Sequence, residues 1–222
     1  MLSREQARIE TELIGQPEIL LNAQGEQLLS AVEQYISRFV ILPVGTLLPV
    51  ALWTLATHLY GQFESFPYLA IVSPTKRAGK TQLLKTLELL ARASLRCTFP
   101  SPAVLYRVIN DRQPTLLLDE VEFLSGRKSD HALAVIAILD AGFEAGGMVP
   151  RCGGAKGDKL EYFSVFCPKA FASIGRLPDT LADRSIVLHM QHKARTEKAS
   201  RFSRQARREG PQGGVIQLLE NH

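Results

Sequence analysis

The apolar run "YLAIV", Tyr68 to Val72, leads directly into "SPTKRAGKTQLLKTLELL", Ser73 to Leu90. A strand, a loop ending in Gly79-Lys80-Thr81 and a leucine-spaced helix that begins at the lysine leave few folds open. Glycine in such a loop lets consecutive backbone N–H groups turn inward round an anion, and the helix that follows points its positive end at the same place. Lys80 then supplies a cation for β and γ phosphate oxygens, and Thr81 a hydroxyl for Mg2+. The usual pattern, G-x-x-x-x-G-K-[ST], is broken at its first position, which holds Pro74. Proline neither adopts positive φ nor donates an N–H, so this loop must begin differently from the glycine-first version. An Ala-Gly-Lys turn before an ordinary helix fits the same residues, and the loop alone does not decide between the two.

The rest of the chain alternates in a way that suits the phosphate-loop reading. Short apolar runs at Tyr68–Val72, Leu95–Thr98, Thr115–Leu118, Lys169–Ile174 and Ser185–Met190 are the expected strands. Between them, helices are expected over Lys80–Arg92, Pro102–Asn110, where Ser101 can cap and Pro102 suits the first turn, and His131–Phe143. "MVPRC" and "LEYFSVF" flank the glycine-lysine turn "GGAKGDK" and read as an inserted β-hairpin. Upstream, "EQLLSAVEQYISRFV" places Leu28, Leu29, Val32, Tyr35, Ile36 and Phe39 at helical spacing. The expectation is an α/β fold of the P-loop NTPase kind, with a mainly parallel five-stranded sheet flanked by helices. Its organisation is an N-terminal helical segment over 1–66, an ATPase core over 67–192 with the hairpin inserted before the fourth strand at 148–166, and a basic tail over 193–222.

The choice between loop and plain turn rests on "TLLLDEVE", an apolar strand ending in Asp119-Glu120. Carboxylates at the C-terminal end of a buried strand lie where α/β sheets bind ligands. Asp119 is expected in the Mg2+ shell with Thr81, and Glu120 is expected to orient and deprotonate an attacking water. Pro74, Thr75, Lys76, Arg77, Ala78, Gly79, Lys80, Thr81 and Gln82 are the expected nucleotide contacts. Hydrolysis needs a positive charge set against the γ-phosphate as it leaves, and an arginine from a neighbouring subunit is a frequent solution. Arg184, just before the last strand, is the first candidate and Arg176 the competitor; pairing with Asp183 or Asp179 is the bland alternative for each. Ser173 is a candidate γ-phosphate sensor or simply a strand-end serine. Arg151, Lys156 and Lys159 on the hairpin are candidate contacts to nucleic-acid phosphates, or a solvated turn.

Charge narrows the range of partners. Seven basic and two acidic side chains fall between Lys193 and Gly210, a net +5 in a chain of 222 residues whose total is +4, so the remainder is −1. Polyanion affinity must therefore come from local patches; Arg201, Arg204 and Arg208 share one face if the tail is helical. Cys97, Cys152 and Cys167 lack C-x-x-C spacing and nearby paired histidines, which argues against a zinc site or disulfide framework and for a cytoplasmic protein. "MLSREQARIETELIG" has no apolar core of signal-peptide type. Phe39 to Phe63 carries no Asp, Glu, Lys or Arg, yet Pro43, Gly45, Pro49 and His58 make it a poor lipid-facing helix, and a buried helix starting near Pro49 is expected instead.

With these residues assembled, the chain resembles the domain of unknown function numbered 3631, a P-loop ATPase module of phage, plasmid and actinobacterial proteins, often joined to primase or helicase parts. The resemblance runs from about Tyr35 to Met190. It is carried by "ALWTLATHLY", "SPTKRAGKTQLLKTLELL", "SPAVLYRVI", "PTLLLDEVEF", "ILDAGFEAGGMVPRC" and "PKAFASIGRLPDTLADRSIVLHM". It implies a fold similar to AAA+ and helicase-type ATPases, with ATP and Mg2+ as ligands and Lys80, Thr81, Asp119, Glu120 and Arg184 at motif positions. It also implies a family loop that begins with "SP", DNA as a partner through the hairpin, a homo-oligomeric ring and a primase or other replication partner. Such ATPases usually carry a helical lid after the last strand, and the thirty or so residues after Met190 are too few for one. A truncated copy that binds nucleotide without hydrolysing it, serving as an interaction module, is the alternative. A P-loop kinase is a third reading, disfavoured because adjacent Asp119 and Glu120 suit water activation.

Overall fold

The computed structural model describes residues 17–125, 129–153, 159–192 and 199–200, with side chains from residue 25 onward. In chain order the elements are α1 (Pro17–Phe39), α2 (Leu47–Ala56), β1 (Tyr68–Ser73), α3 (Lys80–Leu90), β2 (Leu95–Thr98), α4 (Pro102–Arg112) and β3 (Leu116–Asp119). They continue with a short 3-10 turn (Val121–Leu124), α5 (Asp130–Ala141), β4 (Met148–Gly153), β5 (Lys159–Ser164), β6 (Lys169–Ile174), α6 (Asp179–Asp183) and β7 (Ser185–His189). Among the described residues these strands form a five-stranded sheet in the order β2-β3-β6-β1-β7 and a separate ribbon of β4 and β5. Every pair in the sheet is parallel and the ribbon is antiparallel. Parallel neighbours require crossovers, and the helices supply them.

Strand periodicity divides the core into two layers. Leu69 and Ile71 of β1 face one side, where they pack with Val32 and Ile36 of α1, Val50 and Trp53 of α2, and Leu83, Leu84 and Leu87 of α3. Tyr68, Ala70 and Val72 face the other, against Leu105 and Ile109 of α4 and Val135, Ile138 and Leu139 of α5. β1 is buried along its whole length, as a central parallel strand covered on both faces should be.

The uncharged segment 39–63 folds into this core. α2 has 10 residues, about 15 Å of helix against a bilayer core of about 30 Å. Its Trp53 indole donates to the Pro67 carbonyl at 2.8 Å, which ties it to the start of β1. Thr54 and Thr57 donate back to carbonyls of the same helix region, so their hydroxyls are compatible with burial. No helix among the described residues is long and apolar enough to cross a membrane.

The ribbon lies along α4: Asn110 accepts from the Ser164 N–H at 3.0 Å, and the Tyr106 and Phe163 rings meet at 4.5 Å. Its base is fastened by Lys169. That side chain is fully buried and donates to the carbonyls of Gly142, Val165 and Cys167 at 2.9, 3.0 and 3.0 Å. A Cβ on Gly142 would overlap the Val165 carbonyl oxygen, so the close approach of α5 to the ribbon's exit requires glycine there. Several boundaries shift by one or two residues: the third strand starts one residue later and reaches Asp119, α2 starts at Leu47, α3 ends at Leu90, α4 extends to Arg112, α5 spans Asp130–Ala141 with Ser129 as its cap, and β1 and β7 end at Ser73 and His189. Lys156 and the tail residues Arg201, Arg204 and Arg208 lie outside the described residues.

Candidate nucleotide site

β1 delivers the loop and α3 closes it. Left-handed backbone occurs at Arg77 (φ 64) and Gly79 (φ 85), so the turning is done in the second half of the loop. The Pro74 position therefore has no need of a glycine. The start of the loop is held by side chains: Ser73 donates its hydroxyl to the Thr75 carbonyl at 2.6 Å, and the Thr75 hydroxyl meets His192 Nε2 at 2.9 Å.

Lys80, the first residue of α3, is only 9% exposed. Its ammonium donates to Ser73 Oγ at 2.6 Å and, more weakly, to the Thr75 carbonyl at 3.4 Å. Burial pulls Lys80 below the usual lysine range, while the carboxylates of Glu122 and then Asp119 oppose that shift by favouring the charged form. The Thr81 hydroxyl donates to Asp119 Oδ1 at 3.3 Å, which brings the two expected Mg2+ ligands together. Among the described residues no three His, Cys, Asp or Glu side chains converge as a metal cage. One carboxylate and one hydroxyl fit Mg2+, which typically keeps waters and takes phosphate oxygens for the rest of its shell.

Lys76, Arg77, Lys80, Thr81, Asp119, Glu120, Glu122, Ala172 and Ile174 line a cleft of about 510 Å3 over the C-terminal ends of β1, β3 and β6, within the size range of small-ligand sites. Three cations thus face three carboxylates. A smaller cleft of about 260 Å3 lies beside the same loop, between Phe39, Val40 and Ile41 on one side and Gly79 and Gln82 on the other. The Gln82 side-chain nitrogen is buried with no hydrogen-bond partner in the described structure.

Two side chains in this region were not expected from sequence. Arg96 of β2 stands between Glu88 of α3, at 3.1 Å, and Asp119 Oδ2, at 3.8 Å, and so restrains the carboxylate beside Thr81. Glu122 accepts the Ile174 N–H at 2.7 Å. The available signal for it was only a third acid in "DEVE".

The remaining candidates are dispersed. Glu120 lines the cleft, exposed, at φ 58 and without a hydrogen bond or ion pair among the described residues. Ser173 is fully buried with its hydroxyl directed to the Ile174 carbonyl at 3.3 Å, while its neighbours Ala172 and Ile174 form the cleft wall. Strand alternation thus turns Ser173 away from the cleft that a γ-phosphate sensor would have to face. Arg176 follows β6 and lines another cleft of about 570 Å3 with Ser73 and Pro74, on the loop's edge of the sheet. Arg184 lies at the opposite edge, where its carbonyl accepts from the Tyr68 N–H, roughly 17 Å of strand from the loop. Its guanidinium donates to the Thr180 carbonyl at 2.8 Å and sits 3.7 Å from Asp140. Reaching its own chain's cleft from there is ruled out. On the ribbon, Arg151 is turned inward over the Tyr106 ring and donates to the Pro150 carbonyl, whereas Lys159 is exposed.

The fold is an α/β arrangement with a five-stranded parallel sheet flanked by helices, in which the loop between β1 and α3 faces Asp119 at the end of β3. No protein-family model matches the chain, and no curated protein matches it. Among solved structures it is similar to a JCV helicase determined with a bound inhibitor, at 14% sequence identity and a TM-score of 0.46. The match covers 78% of this chain and 52% of that one, so the chain spans about half the length of the structure it matches.

Proposed function

We propose that this chain is a Mg2+-dependent ATP-binding and ATP-hydrolysing module of the helicase or AAA+ type, akin to the domain of unknown function 3631, acting on DNA in replication or mobile-element maintenance. The observation that carries the reading is the convergence of Lys80, Thr81 and Asp119 on one cleft beneath a loop with left-handed turns at Arg77 and Gly79. Phosphates occupy the 510 Å3 cleft, where Lys80 exchanges Ser73 for β and γ oxygens. The base takes the shelf of Phe39, Val40 and Ile41, with Gln82 beside it. Thr81 and Asp119 would hold Mg2+, and the ion would supply positive charge against the phosphates. Glu120 takes a proton from water as its oxygen attacks the γ-phosphorus, and the bond to the β–γ bridging oxygen breaks to release ADP. Arg184 supplies its charge in trans, from a neighbouring copy in a ring. Lys159 is the described ribbon cation free to meet DNA phosphate.

ATP turnover measured with and without single-stranded and duplex DNA tests the reading. Glu120→Gln is expected to lose about 100-fold or more in kcat, and Lys80→Ala about 10- to 100-fold in ATP affinity. Wild-type turnover no higher than that of Glu120→Gln in every condition would leave a nucleotide-binding interaction module as the surviving reading.

A further inference from the structure

We propose that Glu122 is a positioning residue for hydrolysis: its carboxylate latches the turn carrying Asp119 and Glu120 to the end of β6, and so fixes Glu120 over the phosphate cleft. The proposal rests on the ATPase reading above and assigns to Glu122 neither the proton transfer nor the metal.

The argument begins with the backbone. Glu120 has φ 58, and a non-glycine residue in the left-handed region persists only where its surroundings hold it there. The side chain of Glu120 provides no such hold, since it makes no hydrogen bond or ion pair among the described residues. The restraint comes from the following turn. Glu122 Oε1 accepts from Ile174 N at 2.7 Å, and the Ser125 hydroxyl donates to the Arg176 carbonyl, so the turn is fastened to the same segment at two points.

The partner of Glu122 is a main-chain group left over by the sheet. The register of β3 with β6 ends at Leu118 and Phe171. The next amide along β6 that faces β3 belongs to Ile174, because Gly175 N donates to the other side, to Ser73 O. A donor at the end of a strand needs an acceptor, and the Glu122 carboxylate stands in for the strand residue that β3 no longer provides. A carboxylate bonded to a backbone N–H at this distance is charge-assisted and geometrically strict. Ile174 is paired across the sheet with Ser73, the residue that holds Lys80. The latch therefore joins the lysine side of the cleft to the carboxylate side.

A crossed pair of substitutions separates reach from charge. Glu122→Gln keeps an oxygen that can accept the Ile174 N–H; Glu122→Asp keeps the charge but shortens the reach. The latch predicts that Glu122→Gln retains kcat within about threefold, whereas Glu122→Asp and Glu122→Ala lose about 10- to 100-fold in kcat through misplacement of Glu120. Glu122→Gln and Glu122→Ala both remove the carboxylate that faces Lys80, so KM and the affinity for a fluorescent ATP analogue should shift equally in these two, and the latch is read in kcat. If Glu122→Gln is as inactive as Glu122→Ala, or if Glu122→Asp and Glu122→Ala turn over like wild type, the proposal is overturned. Amide hydrogen exchange at Ile174 reads the latch without turnover: slow in wild type and Glu122→Gln, fast in Glu122→Asp. A wild-type protein that binds Mg·ATP and never hydrolyses it sinks the ATPase reading, and the exchange pattern then decides the latch alone, equal rates in all variants refuting it.

Discussion

Two buried lysines stand at opposite ends of the parallel strands and differ in how they are held. Lys169, at the start of β6, is fully enclosed and donates all three of its hydrogens to backbone carbonyls at 2.9 to 3.0 Å. Lys80, at the other end, holds one hydroxyl firmly and one carbonyl loosely, and opens onto a cleft with Glu122 and Asp119 across it. Burial lowers the proton affinity of both ammonium groups. The difference lies in their partners. Carbonyls that close a helix end and a hairpin cannot be released without opening the fold, whereas Lys80 is held by a side-chain hydroxyl at the wall of an open cleft, and under the proposed reading that hydroxyl gives way to a phosphate oxygen.

The contrast breaks most visibly at Lys169. Replacing it with Met leaves three buried carbonyls without donors, and the expected cost is about 3 kcal/mol or more. In a chain of this size that lowers the melting temperature by about 6 to 12 °C. ATP affinity measured on the folded fraction should stay at the wild-type level. Lys80→Ala should do the reverse, with affinity lost as stated above and a melting temperature within a few degrees of wild type, about 1 kcal/mol at most. Thermal unfolding followed by circular dichroism, beside titration with a fluorescent ATP analogue, resolves the two. A melting temperature for Lys169→Met equal to that of wild type would refute the division between the lysines.

Arg96 lies between these extremes, since its Nε is bonded to Glu88 at 3.1 Å and its Nη1 is only loosely tied to Asp119 at 3.8 Å. Its removal should leave the fold intact and free the Asp119 carboxylate to swing. The expected effect of Arg96→Ala is a rise of about two- to fivefold in the Mg2+ concentration that half-saturates ATP binding, in line with loss of a partly exposed ion pair of up to about 1 kcal/mol. A magnesium titration at fixed nucleotide measures it, and an unchanged midpoint would remove Arg96 from the site.

Much of this arrangement was legible in the sequence, for identifiable reasons. β2 and β6 fall where their apolar runs placed them, and α3 and α4 begin at the residues named, because period, proline position and capping serine are local properties. The pairing of Thr81 with Asp119 followed from strand order, which parallel topology constrains strongly. What could not be read is side-chain direction at the ends of strands. The left-handed backbone at Glu120 determines that Glu122, two residues on, returns to β6, and no residue type at position 120 announces it. Ser173 failed as a cleft residue because strand alternation turned it to the other face. Arg176 and Arg184 are separated by the length of a strand, although eight positions of sequence suggest neighbours.

The same distinction between local and non-local information explains Pro74, and it yields the smallest predicted effect. From the motif alone, Pro74→Gly is a repair that should tighten phosphate binding by restoring the missing glycine. From the structure it is not, because the left-handed turns fall at Arg77 and Gly79, and the loop's start is already fixed by Ser73 and Thr75. The substitution adds freedom to the unfolded chain and removes a restraint on φ, so stability should fall by about 0.4 to 1 kcal/mol. Affinity for the fluorescent ATP analogue should remain within about twofold of wild type, since no N–H gained at position 74 is aimed into the cleft by a turn. Gly79→Ala, in contrast, forces a side chain onto φ 85 beside Lys80 and should weaken both stability and binding. If Pro74→Gly instead tightened binding several-fold, the turning geometry assigned to the second half of the loop would be wrong, and with it the account of how Lys80 is held ready.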